Sequence, residues 1–160
     1  MTQTIRILFA EDNLNDIELT LGALAAHHLA NEVVVVRDGA EALDYLYRRG
    51  AYALRTNDNP VLILLDIRMP KVDGLEVLRQ IKQDEQLKMI PVVMMTSSQE
   101  EKDIIESYRL GVNAYVRKPV EFSQFIEAVK TLGLFWLVLN QPSTERIASE
   151  SQKRGANEPV

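Results

Sequence analysis

The sequence predicts an α/β fold built on a parallel sheet, and three observations carry that prediction. Strand-like and helix-like segments alternate five times along the chain. The strand-like runs are short, apolar and rich in β-branched residues, as strands buried on both faces are. They also end on chemically distinctive residues: Glu11-Asp12, Asp66, Thr96 and Lys118. In an open parallel sheet all strands point the same way, so residues closing several strands meet along one ligand-binding edge.

The first strand is read as Ile5 to Ala10 and the first helix as about Asn15 to Leu29, with Leu14, Ile17, Leu21 and Leu24 at spacings of three and four. Val33 to Val36 is the second strand. Asp38-Gly39 then turns the chain into a helix with Ala42, Leu43 and Leu46 on one face. A polar stretch, Arg55 to Pro60, leads into the apolar run Val61 to Leu65 and the third strand's end at Asp66. Pro70 stops regular structure there, and Asp73 caps a helix carrying Leu75, Leu78 and Ile81. Pro91 opens the fourth strand, Val92 to Met95, before a helix from about Gln99 to Leu110 that Gly111 stops. Ala114 to Val116 makes a short fifth strand. Lys118-Pro119 forms a fixed turn, and a final helix is expected from about Glu121 to Leu139.

The chain has 160 residues, enough for one domain with a proper core and too few for two full-sized ones. A single domain is expected over residues 1–140, with a disordered tail over 141–160, where apolar residues are few and charges cancel. The net charge of −5 and scattered basic residues argue against a nucleic-acid surface. The absence of cysteine excludes disulfides and thiol chemistry and fits a cytoplasmic location. No basic segment followed by an apolar stretch marks a signal peptide, and no run approaches the ~20 apolar residues that span a bilayer.

Asp66 is the candidate nucleophile, because a carboxylate can accept a phosphoryl group as a mixed anhydride if charge on the equatorial oxygens is neutralised. Glu11 and Asp12 complete a three-carboxylate pocket whose mutual repulsion a hard cation would relieve. Magnesium suits such oxygen ligands, and the backbone carbonyl of Arg68 lies in the right loop to join them. The Thr96 hydroxyl and the Lys118 ammonium can each meet a phosphoryl oxygen. An Arg68 side chain beside the phosphoryl group would obstruct attacking water and lengthen the phosphoform's life. His27 and His28 point about 100° apart on a helix and are read as near-surface residues at its end.

Glu11-Asp12, the block from Leu64-Leu65-Asp66 through Met69-Pro70 and Asp73-Gly74, Thr96-Ser97-Ser98, and Ala114-Tyr115 with Lys118-Pro119 together resemble the motifs of a response regulator receiver domain. More narrowly, Asn31-Glu32-Val33, Arg37 to Ala42, Ser107-Tyr108 and Leu132 to Trp136 resemble single-domain regulators that partner cyanobacterial phytochromes. The resemblance implies a flavodoxin-like (βα)5 fold with strand order 2-1-3-4-5 and helices on both faces. It implies phosphotransfer to Asp66 from a sensor histidine kinase, and magnesium held through Asp12, Asp66 and the Arg68 carbonyl with help from Glu11. It further implies a Thr96–Tyr115 switch, and a phosphoacceptor that promotes its own phosphotransfer and dephosphorylation rather than an enzyme acting on outside substrates. Glu11 is a departure, since many receivers carry aspartate there.

No DNA-binding output module is expected, so output falls to the phosphorylation-dependent surface or onward phosphotransfer. Leu134 to Leu139 is apolar on every side, which suggests a homodimer or kinase-docking contact at the end of the final helix. Two rivals stand beside this reading: a phosphatase of another aspartate-nucleophile class, disfavoured because Arg68 occupies the position of its acid/base aspartate, and a pseudo-receiver docking scaffold.

Overall fold

A computed structural model describes residues 6–26, 33–96 and 101–134. Its elements follow the expected alternation: β1 Ile7–Ala10, α1 Leu14–Ala25, β2 Val33–Val36, α2 Gly39–Tyr47, β3 Leu62–Asp66, α3 Gly74–Gln83, β4 Val92–Thr96, α4 Glu101–Arg109, β5 Ala114–Arg117 and α5 Phe122–Thr131. All strand pairs are parallel, in the order β2-β1-β3-β4-β5, which is the flavodoxin-like arrangement. The order reverses at β1, so β1 and β3 flank the crevice where such sheets bind ligands.

Alternation along β1 divides the core in two. Ile7 and Phe9 face one side with Ile17 and Leu24 of α1 and Phe125, Ala128 and Val129 of α5. Leu8 and Ala10 face the other with Ala42, Leu43 and Leu46 of α2 and Val77, Leu78 and Ile81 of α3. Every residue of β1, β3 and β4 is buried. That is why these strands read as unbroken apolar runs until the site begins.

Helix starts follow side-chain caps. Asn13, Asp38 and Asp73 each accept from the backbone N–H three residues on. Asn13 sets the start of α1 at Leu14 rather than Asn15. β4 runs one residue further than expected, taking in Thr96.

Gly111 stops α4 as its position suggested, at φ 96°, with Gly111 N donating to Tyr108 O and Val112 N to Ser107 O. The same pair of hydrogen bonds closes α5. Gly133, at φ 73°, donates to Lys130 O, and Leu134 N donates to Val129 O at 2.7 Å. Among the described residues the last helix, α5, therefore ends at Thr131, short of the bound expected for it. Ile5, His27, His28, Ser97, Ser98, the apolar residues 135–139 and the tail lie outside the described residues.

The stretch from Arg55 to Pro60 is an organised loop. It follows a 3-10 turn over Gly50–Tyr52. The Arg55 guanidinium donates to the carbonyls of Tyr45, Asn57 and Asp58 and to the side chains of Asn57 and Asn59, and lies 4.2 Å from the Tyr45 ring centroid.

Candidate functional site

Three strand ends bring the predicted acids and amine together. β1 ends at Ala10, and Glu11 N donates to Val36 O, which holds Glu11 at the sheet's edge before α1 begins. β3 closes on Asp66, and β5 leads to Lys118, whose backbone N–H donates to Thr96 O at 2.9 Å. The Lys118-Pro119 peptide is cis. Glu11 is fully buried, Asp66 is 5% exposed, and Asp12 is more open.

Lys118 is the electrostatic centre. Its Nζ lies 2.5 Å from Glu11 Oε1, 3.0 Å from Asp66 Oδ1 and 3.3 Å from Asp16 Oδ2. Burial alone would push the lysine's pKa down, but the contacts with Glu11 and Asp66 outweigh it and the net shift is upward. Burial pushes the Glu11 carboxyl up; Lys118 opposes this, the neighbouring Asp66 adds to it, and the result is about 7. Near neutral pH this acid is therefore poised between its charged and protonated forms.

Glu11, Asp12 and Asp66 each present a carboxylate oxygen within 4.8 Å of the others, near enough to share one cation. Glu11 Oε1 is buried and touches Lys118 ionically, yet accepts no hydrogen bond of good geometry. An all-oxygen donor set with an under-satisfied buried carboxylate fits a hard divalent cation. Arg37 Nη2 donates to the Asp12 carbonyl at 2.9 Å and fixes the backbone of the most exposed of the three acids.

The loop after Asp66 is pinned from both ends. Ile67 N donates to Met95 O, and Gly74 N donates to Ile67 O at 2.8 Å. Gly74 sits so close that a Cβ there would lie 2.0 Å from the Asp66 carbonyl oxygen. Arg68 Nη2 donates to Asp103 Oδ2 of α4 at 2.8 Å. Thr96 is buried at the end of the strand beside β3. Tyr115, in β5, is 39% exposed and meets the Tyr108 ring edge-on at 5.7 Å.

Glu11, Asp12, Asp66 and Lys118 are thus brought into one cluster, with Thr96 ending the strand next to Asp66 and Tyr115 two strands from it. Sequence reasoning did not find Asp16 or Asp103. Asp16 carried a faint signal, since Asn13 caps its backbone N–H and that places it on the first turn after the acidic pair. Asp103 carried none, because its partner is distant in sequence.

A doubly wound parallel sheet with acids, a hydroxyl and a lysine closing its strands gathers, at the carboxyl edge, a carboxylate group able to hold a metal ion beside a buried ammonium. The chain belongs to the response regulator receiver domain family, which matches residues 7–130. Among solved structures it resembles the bacteriophytochrome response regulator AtBRR, with 57% identity and a TM-score of 0.78 over 84% of this chain and 96% of that one. It also resembles the bacteriophytochrome response regulator RtBRR, with 54% identity and a TM-score of 0.79 over 96% of this chain and 93% of that one. Response regulator Rcp1 of Synechocystis sp. (strain ATCC 27184 / PCC 6803 / Kazusa) is 40% identical over 131 residues, 82% of this chain and 88% of Rcp1. A solved form of Rcp1 is bound to Mn2+, and this chain matches it with a TM-score of 0.68 over 83% of its own length and 94% of that chain. Among the described residues no helix is long and apolar enough to cross a membrane.

Proposed function

We propose that this chain is a cytoplasmic phosphoacceptor that takes a phosphoryl group on Asp66 from the phosphohistidine of a sensor histidine kinase, a phytochrome-type light sensor. The observation that carries this reading is the contact of Lys118 with both Asp66 and Glu11 beside a carboxylate group fit for a divalent cation. In the transfer, an Asp66 carboxylate oxygen forms the new O–P bond as the N–P bond of the donor imidazole breaks, and the imidazole nitrogen recovers a proton. Lys118 offers its ammonium to one phosphoryl oxygen and Thr96 its hydroxyl to another. Mg2+, held by Asp12, Asp66, the Arg68 carbonyl and Glu11, would neutralise charge on the phosphoryl oxygens.

The kinase assignment rests on the likeness to bacteriophytochrome response regulators and to Rcp1. Output passes through Thr96 and Tyr115, whose concerted movement reshapes the surface of α4, β5 and α5. Self-association through residues 134–139 belongs to the same reading; a monomeric wild type in sedimentation, matching a Phe135→Glu, Leu137→Glu variant, excludes it.

Incubation with Mg2+ and acetyl phosphate tests the central claim. A stable phosphoryl adduct on Asp66, absent from Asp66→Asn, supports it. Steady release of phosphate without an adduct would mean a phosphatase, and no reaction a docking scaffold.

A further inference from the structure

Lys118 has a third anionic partner that lies outside the carboxylate group able to share one cation. Asp16 Oδ2 approaches its Nζ at 3.3 Å, from the first turn of α1 rather than from a strand end. The side chain does no capping duty: Asn13 accepts from the Asp16 backbone N–H at 3.0 Å, so the backbone is fixed while the carboxylate is left for the lysine. The lysine's side chain is 8% exposed, so few waters can replace a lost partner.

From this geometry we infer that Asp16 is a positioning residue, holding the Lys118 ammonium at the phosphoryl site when its other anions are engaged elsewhere. The inference rests on the phosphoacceptor reading. Glu11 and Asp66 both belong to the group that would share a cation, and Asp66 is also the residue that would be phosphorylated. Cation binding would neutralise the carboxylates that now face Lys118, and phosphorylation would replace its contact with Asp66 Oδ1 by one with a phosphoryl oxygen. Asp16 is the described anion in contact with the lysine that neither event claims. An ammonium on a four-carbon stem is otherwise free to swing among rotamers, and small misplacements at a reacting centre are costly.

A positioning role and a plain charge effect predict opposite signs. If Asp16 were only one more negative charge at an acidic mouth, removing it would speed reaction with an anionic phosphodonor. If it positions Lys118, removal slows the reaction.

The test compares wild type, Asp16→Asn and Asp16→Ala, each with its melting temperature measured, in acetyl phosphate phosphorylation with saturating Mg2+. The expected result is a loss of about tenfold for Asp16→Ala, with Asp16→Asn between it and wild type because the amide keeps an acceptor oxygen at the same reach. Mg2+ affinity by calorimetry should stay within about twofold of wild type, while retention of beryllofluoride, a phosphoryl mimic, falls with the rate. The Lys118 ammonium resonance in the beryllofluoride complex should broaden or vanish in Asp16→Ala. Equal rates in all three proteins, or faster reaction in both variants, overturn the inference and leave the phosphoacceptor reading intact. Failure of the wild type to form an adduct on Asp66 overturns both.

Discussion

Arg68 and Asp103 form a 2.8 Å ion pair that ties the loop after Asp66 to helix α4. The arginine side chain is 63% exposed and the aspartate only 12%, so the carboxylate is the member that suffers if the pair breaks. The long cationic side chain therefore lines the mouth of the pocket beside Asp12, its guanidinium anchored to α4. Arg68→Ala should clear that mouth and shorten the phosphoform's lifetime about three- to tenfold. Asp103→Asn, which removes the ion pair to α4 without deleting the guanidinium, should give a smaller effect in the same direction. Loss of label from phosphorylated protein over time measures both, and an unchanged rate in Arg68→Ala removes the water-obstruction idea. The domain should also lose about 1 kcal/mol in Arg68→Ala, since one partner is largely solvated.

Glu11 gives the apo domain a pH dependence of known sign. Its carboxyl ionises at about 7 in the folded protein against 4.5 as the ordinary value, so between these limits the folded state holds more protons than the unfolded chain. Stability from this group is complete below the unfolded value and is lost as pH rises through the folded one. Glu11→Gln cannot titrate, so its melting temperature should gain on the wild type as pH rises from about 5 to about 8. A cation binds the deprotonated acid, so Mg2+ affinity should rise over the same window. Calorimetry in two buffers of different ionisation enthalpy should detect proton release below pH 7 that fades above it.

Gly74 is fixed by steric contact rather than by backbone conformation. A Cβ would lie 2.0 Å from the Asp66 carbonyl oxygen and 2.9 Å from Ile67 Cα, both backbone atoms that cannot swing aside. Gly74→Ala must push the acceptor loop outward or unseat α3. The expected cost is about 1–3 kcal/mol by urea denaturation, with weaker Mg2+ binding because Asp66 moves. Gly39→Ala, in α2, meets the Val72 carbonyl at 1.7 Å, at the far end of the same loop from Asp66, and should cost at least as much. A larger loss of Mg2+ affinity in Gly74→Ala than in Gly39→Ala separates damage to the site from damage to the fold.

What could be read from residues alone divides along physical lines. The strand from Leu62 to Leu65 was legible because burial on both faces writes an apolar run, and Asp66 because a carboxylate ending such a run is conspicuous. Asp73 was legible as a cap because capping is local. Asp16 and Asp103 were not, since each acquires its meaning from a cation brought near only by tertiary folding. Arg55 was hidden for a related reason: a polar loop and a loop organised around one guanidinium have the same composition. The end of α5 shows how competing signals mislead. Gly111 and Gly133 close their helices with the same pair of hydrogen bonds, but the apolar residues after Gly133 read as continuing helix.

Tyr108 supplies the last expectation. Its ring meets Tyr115 edge-on at 5.7 Å with an interplanar angle of 84°, a favourable aromatic geometry, while Tyr115 remains 39% exposed. If Tyr115 moves inward when Thr96 engages a phosphoryl oxygen, that contact belongs to the unphosphorylated state and must be surrendered on activation. Such a pair contributes about 1 kcal/mol, so Tyr108→Ala should raise the inward population of Tyr115 roughly fivefold before any phosphorylation. Thr96→Ala should abolish the phosphorylation-dependent movement while leaving this basal shift in place. Fluorine NMR of fluorotyrosine at position 115, with and without beryllofluoride, reads both. A Tyr115 signal that ignores beryllofluoride in the wild type would remove the ring from the switch, whatever Tyr108 contributes to stability.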